Sequence, residues 1–266
     1  MQNMQYRTGS GGVASADVGT VRLIGRDDLR TAMAQGMADF REMRGDILLI
    51  GFLYPAIGLV VATVALQDRL LPVLFPLVAG LSLLGPSVAA GFYELARRRE
   101  DGQESGWRHF FDVFSGPALA SLAALTLLLA ALFLLWLGAA WSVYQMTLGQ
   151  LDPQSVGAFV SALFTTGEGW AMIIIGNLVG LVFAAMTLLV SMAFPMVVDR
   201  PGVDAFSAIV TSIHAVNRNR TAFARWGLTV AVLLAIGCIP LFVGLAVVLP
   251  LLGYATFHLY RRVIAR

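Results

Sequence analysis

"WGLTVAVLLAIGCIPLFVGLAVVLPLLGYATFHLYRR", Trp226 to Arg262, holds no Asp, Glu, Lys or Arg before its last two residues. Its apolar part, Trp226 to Tyr260, is thirty-five residues long, roughly 52 Å as one helix against a hydrocarbon core about 30 Å thick. A single crossing cannot absorb that length, so the chain must turn back within the run. "GCIP", Gly237 to Pro240, supplies the turn: the residue before a proline avoids helical backbone, and glycine tolerates turn geometry. The reading is a hairpin of two spans, about Phe223 to Ile239 and Leu241 to Tyr260, closed by Arg261 and Arg262.

The same test applies along the whole chain. Of 266 residues, 58% are hydrophobic and 13% charged, a composition that places the chain among polytopic membrane proteins. Ile47 to Leu66 is an uncharged run of twenty residues, the length of one crossing. Leu70 to Leu95 makes a second span, interrupted by Pro72, Pro76 and Pro86; lipid forbids open backbone groups, so these prolines predict kinks covered by neighbouring helices. Ala118 to Trp141 and about Trp170 to Val198 complete six spans.

Arginine positions orient them. The eighteen basic residues are all arginine, and seventeen fall before the first span, between spans two and three, between spans four and five, or after the sixth; only Arg69 lies on the other side. Such asymmetry predicts a bacterial inner-membrane protein with both termini cytoplasmic. The net charge of +2 offers no basic domain for nucleic acid. One cysteine, Cys238, excludes an internal disulfide and a CxxC redox pair. Residues 1–26, rich in Gly, Ser and Ala, read as a disordered cytoplasmic tail, and residues 27–266 as one membrane domain.

An internal repeat is visible at an offset of 164: Pro76, Leu77, Gly80, Leu81, Pro86, Leu95, Arg97 and Arg98 fall on Pro240, Leu241, Gly244, Leu245, Pro250, Leu259, Arg261 and Arg262. Three amphipathic stretches precede the hairpins. Leu29, Met33, Met37 and Phe40 share one helical face, as do Trp107, Phe110, Phe111 and Phe114, and again Phe206, Ile209, Val210 and Ile213. The predicted fold is therefore all-α, with six transmembrane helices arranged as three parallel units of cytoplasmic amphipathic helix plus hairpin, about 27–99, 103–200 and 203–266. Between spans three and four, "DPQSVGAFVSALF" predicts a helix on the outer leaflet, with Asp152 as N-cap and Pro153 at its first position. Trp141 and Trp170 are placed at the outer interface and Trp226 at the inner one.

Three stretches carry a family resemblance: "FPLVAGLSLLGPSVAAGFYELARRREDGQESGW" from Phe75, "FPMVVDRPGVDAFSAIVTSIHAVNRN" from Phe194 and "GLAVVLPLLGYATFHLYRRVI" from Gly244. Together they resemble an uncharacterised prokaryotic family of integral membrane proteins, a domain of unknown function, over about Val21 to Arg266. Some of its members carry the label cytochrome c oxidase subunit I. The resemblance implies the membrane topology and supplies no active site.

The oxidase label fails on ligand count. Two haem irons and a copper need about six intramembrane histidines, and this chain has three, His109, His214 and His258. No HxxH or HxxxH spacing supports a shared metal site, so no metal and no cofactor are expected. Nucleotide-binding, zinc-protease and serine-hydrolase signatures are missing from the sequence, and the chain reads as no enzyme.

Three polar residues stand out in or beside the spans. Glu94 is aligned with His258 by the repeat and has Arg97 and Arg98 three and four residues on, the spacing of helix ion pairs. Asn177 lies well inside a span, where an amide glues helices or lines a polar path. The functional expectation is a scaffold or accessory subunit of a membrane complex, with the lipid bilayer and other membrane proteins, a respiratory oxidase complex among them, as partners. The alternative is a channel or transporter for a small solute.

Overall fold

The computed structural model describes residues 20–51, 56, 59, 63, 76–77, 80, 82–151, 153, 155–240 and 242–265. Most of the first predicted span, and the second up to Leu81, lie outside the described residues, as does Asp152. Among the described residues the secondary structure is helical apart from one isolated bridge.

Helix α1 runs unbroken from Arg26 to Gly51. It runs on past Ile47, where the sequence suggested that the first span begins. A 3₁₀ turn, Ser82–Leu84, leads into the short α2, Gly85–Val88, with Pro86 in its first turn, and then α3, Ala90–Glu100. After the 3₁₀ helix Trp107–Phe114 come α4, Leu119–Met146, and the 3₁₀ turn Leu148–Leu151. Next follow α5, Val156–Thr165; α6, Gly167–Val190; α7, Ala193–Asp199; and α8, Ala205–Arg218. Helices α9, Arg220–Cys238, and α10, Leu245–Val263, complete the chain.

Among the described residues three stretches are long and apolar enough to cross a membrane: Leu119–Met146, Gly167–Asp199 and Arg220–Cys238. Their ends define two faces of the molecule. At the arginine-rich end α3 packs on α7 and α10, α8 packs on α7, and both α7 and α8 reach α4. At the opposite end α5 folds back onto α6, and Tyr144, Leu148 and Phe159 pack together.

The predicted turn at Gly237 to Pro240 is present. Helix α9 stops at Cys238, Phe242 takes a left-handed φ of 66°, and α10 starts at Leu245. Gly244 makes this reversal close, since a Cβ there would sit 2.8 Å from the Gly237 backbone. The two prolines aligned by the repeat do different jobs: Pro86 opens α2, whereas Pro250 sits inside α10.

The fourth predicted span is broken rather than continuous. Pro195 has no N–H and its ring clashes with the carbonyl four residues back, so the helix cannot run through Ser191 unchanged. Ser212 of α8 fills the gap: its hydroxyl donates to the Leu189 carbonyl at 2.7 Å and accepts from the Met192 N–H at 3.1 Å. Helix α7 then turns inward, and Ala193 to Val198 are all buried.

In each of the three predicted amphipathic stretches the most buried line differs from the predicted apolar face. Along α1 the fully buried line is Ala32, Gly36 and Asp39, with Leu29, Met33 and Phe40 flanking it. A Cβ at Gly36 would come within 2.6 Å of the Ala255 backbone nitrogen, so glycine is what lets α1 and α10 touch backbone to backbone. Trp107–Phe114 is 3₁₀, with three residues per turn. That period puts Phe110 and Val113 inside and leaves Phe111 and Phe114 exposed. In α8 the buried face is Ala208, Thr211, Ser212, Ala215 and Val216, while Phe206 is 75% exposed.

Two further corrections concern ends. Helix α5 is capped by Ser155, whose hydroxyl accepts from the Ala158 N–H at 3.2 Å, so it starts three residues after the predicted Pro153. Residues 20–25 are ordered, against the predicted tail to 26: the Arg22 N–H donates to the Val263 carbonyl and the Ala265 N–H to the Thr20 carbonyl. Asn219, at the corner between α8 and α9, locks this segment in place. Its Oδ1 accepts from the Ile24 N–H at 2.9 Å and its Nδ2 donates to the carbonyls of Arg22 and Ala215 at 3.0 Å each. Trp226 is buried in the core, while Trp141 and Trp170 are exposed.

Candidate functional site

The candidate site is the polar layer at the arginine-rich end. It forms because α1 and α10 run antiparallel and α3 packs across α10, bringing charged turns from distant parts of the chain together. His258 on α10 is buried between two carboxylates. Its Nε2 is 2.7 Å from Asp39 of α1 and its Nδ1 is 3.1 Å from Glu100 at the end of α3.

With both ring nitrogens facing carboxylates, donor counting fixes the protonation state. A neutral imidazole has one N–H, so one contact would set a lone pair against a carboxylate; an imidazolium donates in both directions. His258 lies outside the three candidate spans, at the arginine-rich end of the predicted sixth, in this polar layer. Burial pulls its pKa down, and the hydrogen bonds and negative charges of Asp39 and Glu100 outweigh that, leaving it at about 9. At neutral pH it is a cation with no free nitrogen to accept a proton or bind a metal.

Arginines extend the layer outward. Arg99 reaches Asp39 at 3.2 Å and also pairs with Glu42, so Asp39 is shared between α3 and α10. Arg261 joins Glu100 at 2.8 Å to Asp199 at 3.2 Å. The Asp199 side chain, at the end of α7, is fully buried and accepts from the Tyr260 hydroxyl at 2.9 Å. Arg200 donates to the Ala265 carbonyl at 2.7 Å, and Arg262 reaches Asp28 at 3.3 Å. Four helices, α1, α3, α7 and α10, are thereby cross-linked by ion pairs.

Glu94 sits at the edge of this layer. Arg97 binds it at 2.6 Å and Arg98 at 3.0 Å, and Arg98 also reaches Asp112 in the 3₁₀ helix at 2.7 Å. The carboxylate is thus occupied by two guanidinium groups. The repeat partners Glu94 and His258 lie in the same layer but bond to different residues. His109 accepts from the Gly106 N–H at 3.2 Å in its own turn, and His214 is exposed on α8. The three histidines do not share a site, and among the described residues no three His, Cys, Asp or Glu side chains are grouped to hold a metal ion.

Asn177 lies apart from the layer, exposed on α6, with its Nδ2 donating to the Ile173 carbonyl at 2.7 Å. It lines no path between described helices. Asp39, Glu100, Asp199, Ser212 and Asn219 were not singled out by the sequence. Asp39 and His258 are separated by 219 positions, and no local spacing connects them.

Residues 74–199 match a family described as "Predicted integral membrane protein (DUF2189)". The matched stretch, 126 of the 266 residues, is similar to an uncharacterised family of integral membrane proteins, in agreement with the resemblance seen in the sequence. No curated protein and no solved structure matches the chain.

Proposed function

We propose that the protein is a non-catalytic scaffold or accessory subunit of a membrane complex in the bacterial inner membrane, spanning it six times with both termini cytoplasmic. The observation that carries this reading is the closed polar layer. His258 and Glu94, the side chains best suited to move a proton, are bonded to oppositely charged groups: His258 joins α10 to α1 and α3, Glu94 pairs with Arg97 and Arg98 within α3, and neither is left open to a substrate. Seventeen of eighteen arginines falling on one side supports the cytoplasmic assignment. Spans one, two and six, added to the three candidate crossings, give the even number that leaves both ends on one side. The exposed position of Asn177 speaks against the transport alternative, which would place it on an interior path.

The test is to tag the chromosomal copy, extract it in a detergent mild enough to keep complexes, and identify what migrates with it by native gel and mass spectrometry. Subunits of a membrane complex recovered in fixed ratio, those of a respiratory oxidase being the first candidates, support the accessory role. Recovery of the protein alone, or only with itself, overturns it.

A further inference from the structure

Helix α6 presents two faces with different fates. On one, Met172 packs towards the Tyr144 and Phe159 cluster, and Val179 and Phe183 pack on Trp136 of α4. On the other, Trp170, Ile174, Asn177, Leu181 and Ala184 are all exposed. These five residues are spaced alternately by four and three, the repeat that forms a continuous seam between two helices. Almost none of the apolar stretch of this helix is buried within the chain.

Asn177 makes this seam more than a lipid-facing stripe. Asn177 lies inside the candidate crossing Gly167–Asp199, about 10 Å along the helix from Trp170, where an unbonded amide is costly. Its bond to the Ile173 carbonyl uses one N–H, and neither its Oδ1 nor its second N–H bonds another described residue. Acyl chains supply neither donor nor acceptor. An amide supplies both and is its own complement.

We propose that a second copy of this chain packs along the Trp170–Ala184 seam, with Asn177 of each copy bonded to Asn177 of the other. Insertion fixes the choice of occupant: two copies enter the bilayer in the same orientation, so a two-fold axis along the membrane normal brings each seam residue opposite itself at equal depth. The four-three spacing gives the shallow left-handed crossing common among membrane helices. This goes beyond the scaffold reading and does not depend on it, since a subunit of a larger complex and a free-standing protein could each be dimeric.

The experiment uses the full chain in liposomes, with donor and acceptor fluorophores on C-terminal tags and energy transfer measured as the protein is diluted with lipid. The wild type should dimerise. Asn177→Leu should weaken dimerisation by about 5–30-fold, the range of a membrane-buried polar contact, and Asn177→Gln should largely retain it. Leucine is more apolar than asparagine, so loss of insertion does not confound the variant. In a Cys238→Ser background, cysteines at Ile174 or Leu181 should cross-link to themselves, and one at Ile175, on the far side of the helix, should not. A wild type that stays monomeric, an Asn177→Leu variant that dimerises as well as wild type, or equal cross-linking at Ile175 overturns the proposal. These outcomes are independent of whether partner subunits co-purify.

Discussion

Titrating His258 should loosen the whole arginine-rich end. Its pKa is about 9 in the folded protein against an ordinary value of 6.5, so the folded state holds the proton more tightly than the unfolded chain. The stabilisation is fully present below 6.5 and is lost as pH rises through 9. Between pH 7 and pH 10 the loss amounts to about 2–3 kcal/mol, from the gain in proton affinity less the fraction already titrated at pH 7. For a chain of this size that is a fall in melting temperature of roughly 5–10 °C. The window is unusually clean because the chain has no lysine and one cysteine. The assay is the thermal midpoint of protein in nanodiscs at half-unit steps from pH 6 to 10, for wild type and His258→Gln. The wild type should converge on the variant at high pH, the difference between them shrinking across the window. A difference that stays constant with pH would show that His258 is neutral in the fold and would refute the donor-counting argument.

Three substitutions and one control test the other joints. Gly36→Ala should destabilise by at least about 1–3 kcal/mol, because the added methyl meets Ala255 backbone that cannot move aside. Gly138→Ala, in open space on α4, should be neutral or gain up to about 1 kcal/mol in helix propensity, and equal effects at the two sites would sink the close-approach reading. Ser212→Ala removes both bonds that satisfy the α6–α7 break and should cost about 1–3 kcal/mol in thermal or denaturant stability; an unchanged midpoint would mean that water replaces the hydroxyl. Asn219→Ala should free residues 20–25 from the α8–α9 corner, measured as faster tryptic cleavage at Arg22 and Arg26, and unaltered cleavage would assign the anchoring to the Val263 contact alone.

What the sequence made legible was where helices stop. Gly237 to Pro240 and the arginine runs act through local backbone chemistry and charge, which any window of residues contains. Which side of a helix faces inward was far less legible. In water an apolar stripe marks the core, but in a bilayer the lipid is as apolar as the core, and the inner face is marked by small and weakly polar residues. Helix α8 shows the consequence: Phe206 and Val210 are exposed while Ala208, Ser212 and Ala215 are buried. The 3₁₀ helix misled for another reason, since a period of three moves Phe111 and Phe114 off the face that a period of 3.6 assigns them. The ion-paired layer was hidden because its pairs join α1, α3, α7 and α10 across long sequence separations.

The distribution of polar groups then explains how so apolar a chain adopts one arrangement. Apolar contacts between helices hardly differ from contacts with lipid, so they select poorly among packings. Selection falls to the few groups that must find partners. Ser212 fixes α8 against the α6–α7 break, Asn219 fixes residues 22–24 at the α8–α9 corner, and His258 fixes α10 between α1 and α3. A charged partner removed from such a buried set leaves the other uncompensated, which penalises every alternative packing more than it rewards the native one. Asn177 obeys the same logic, with its remaining bonding capacity directed outward from α6. Three of these polar residues specify how the chain folds on itself, and the fourth specifies what it meets in the membrane.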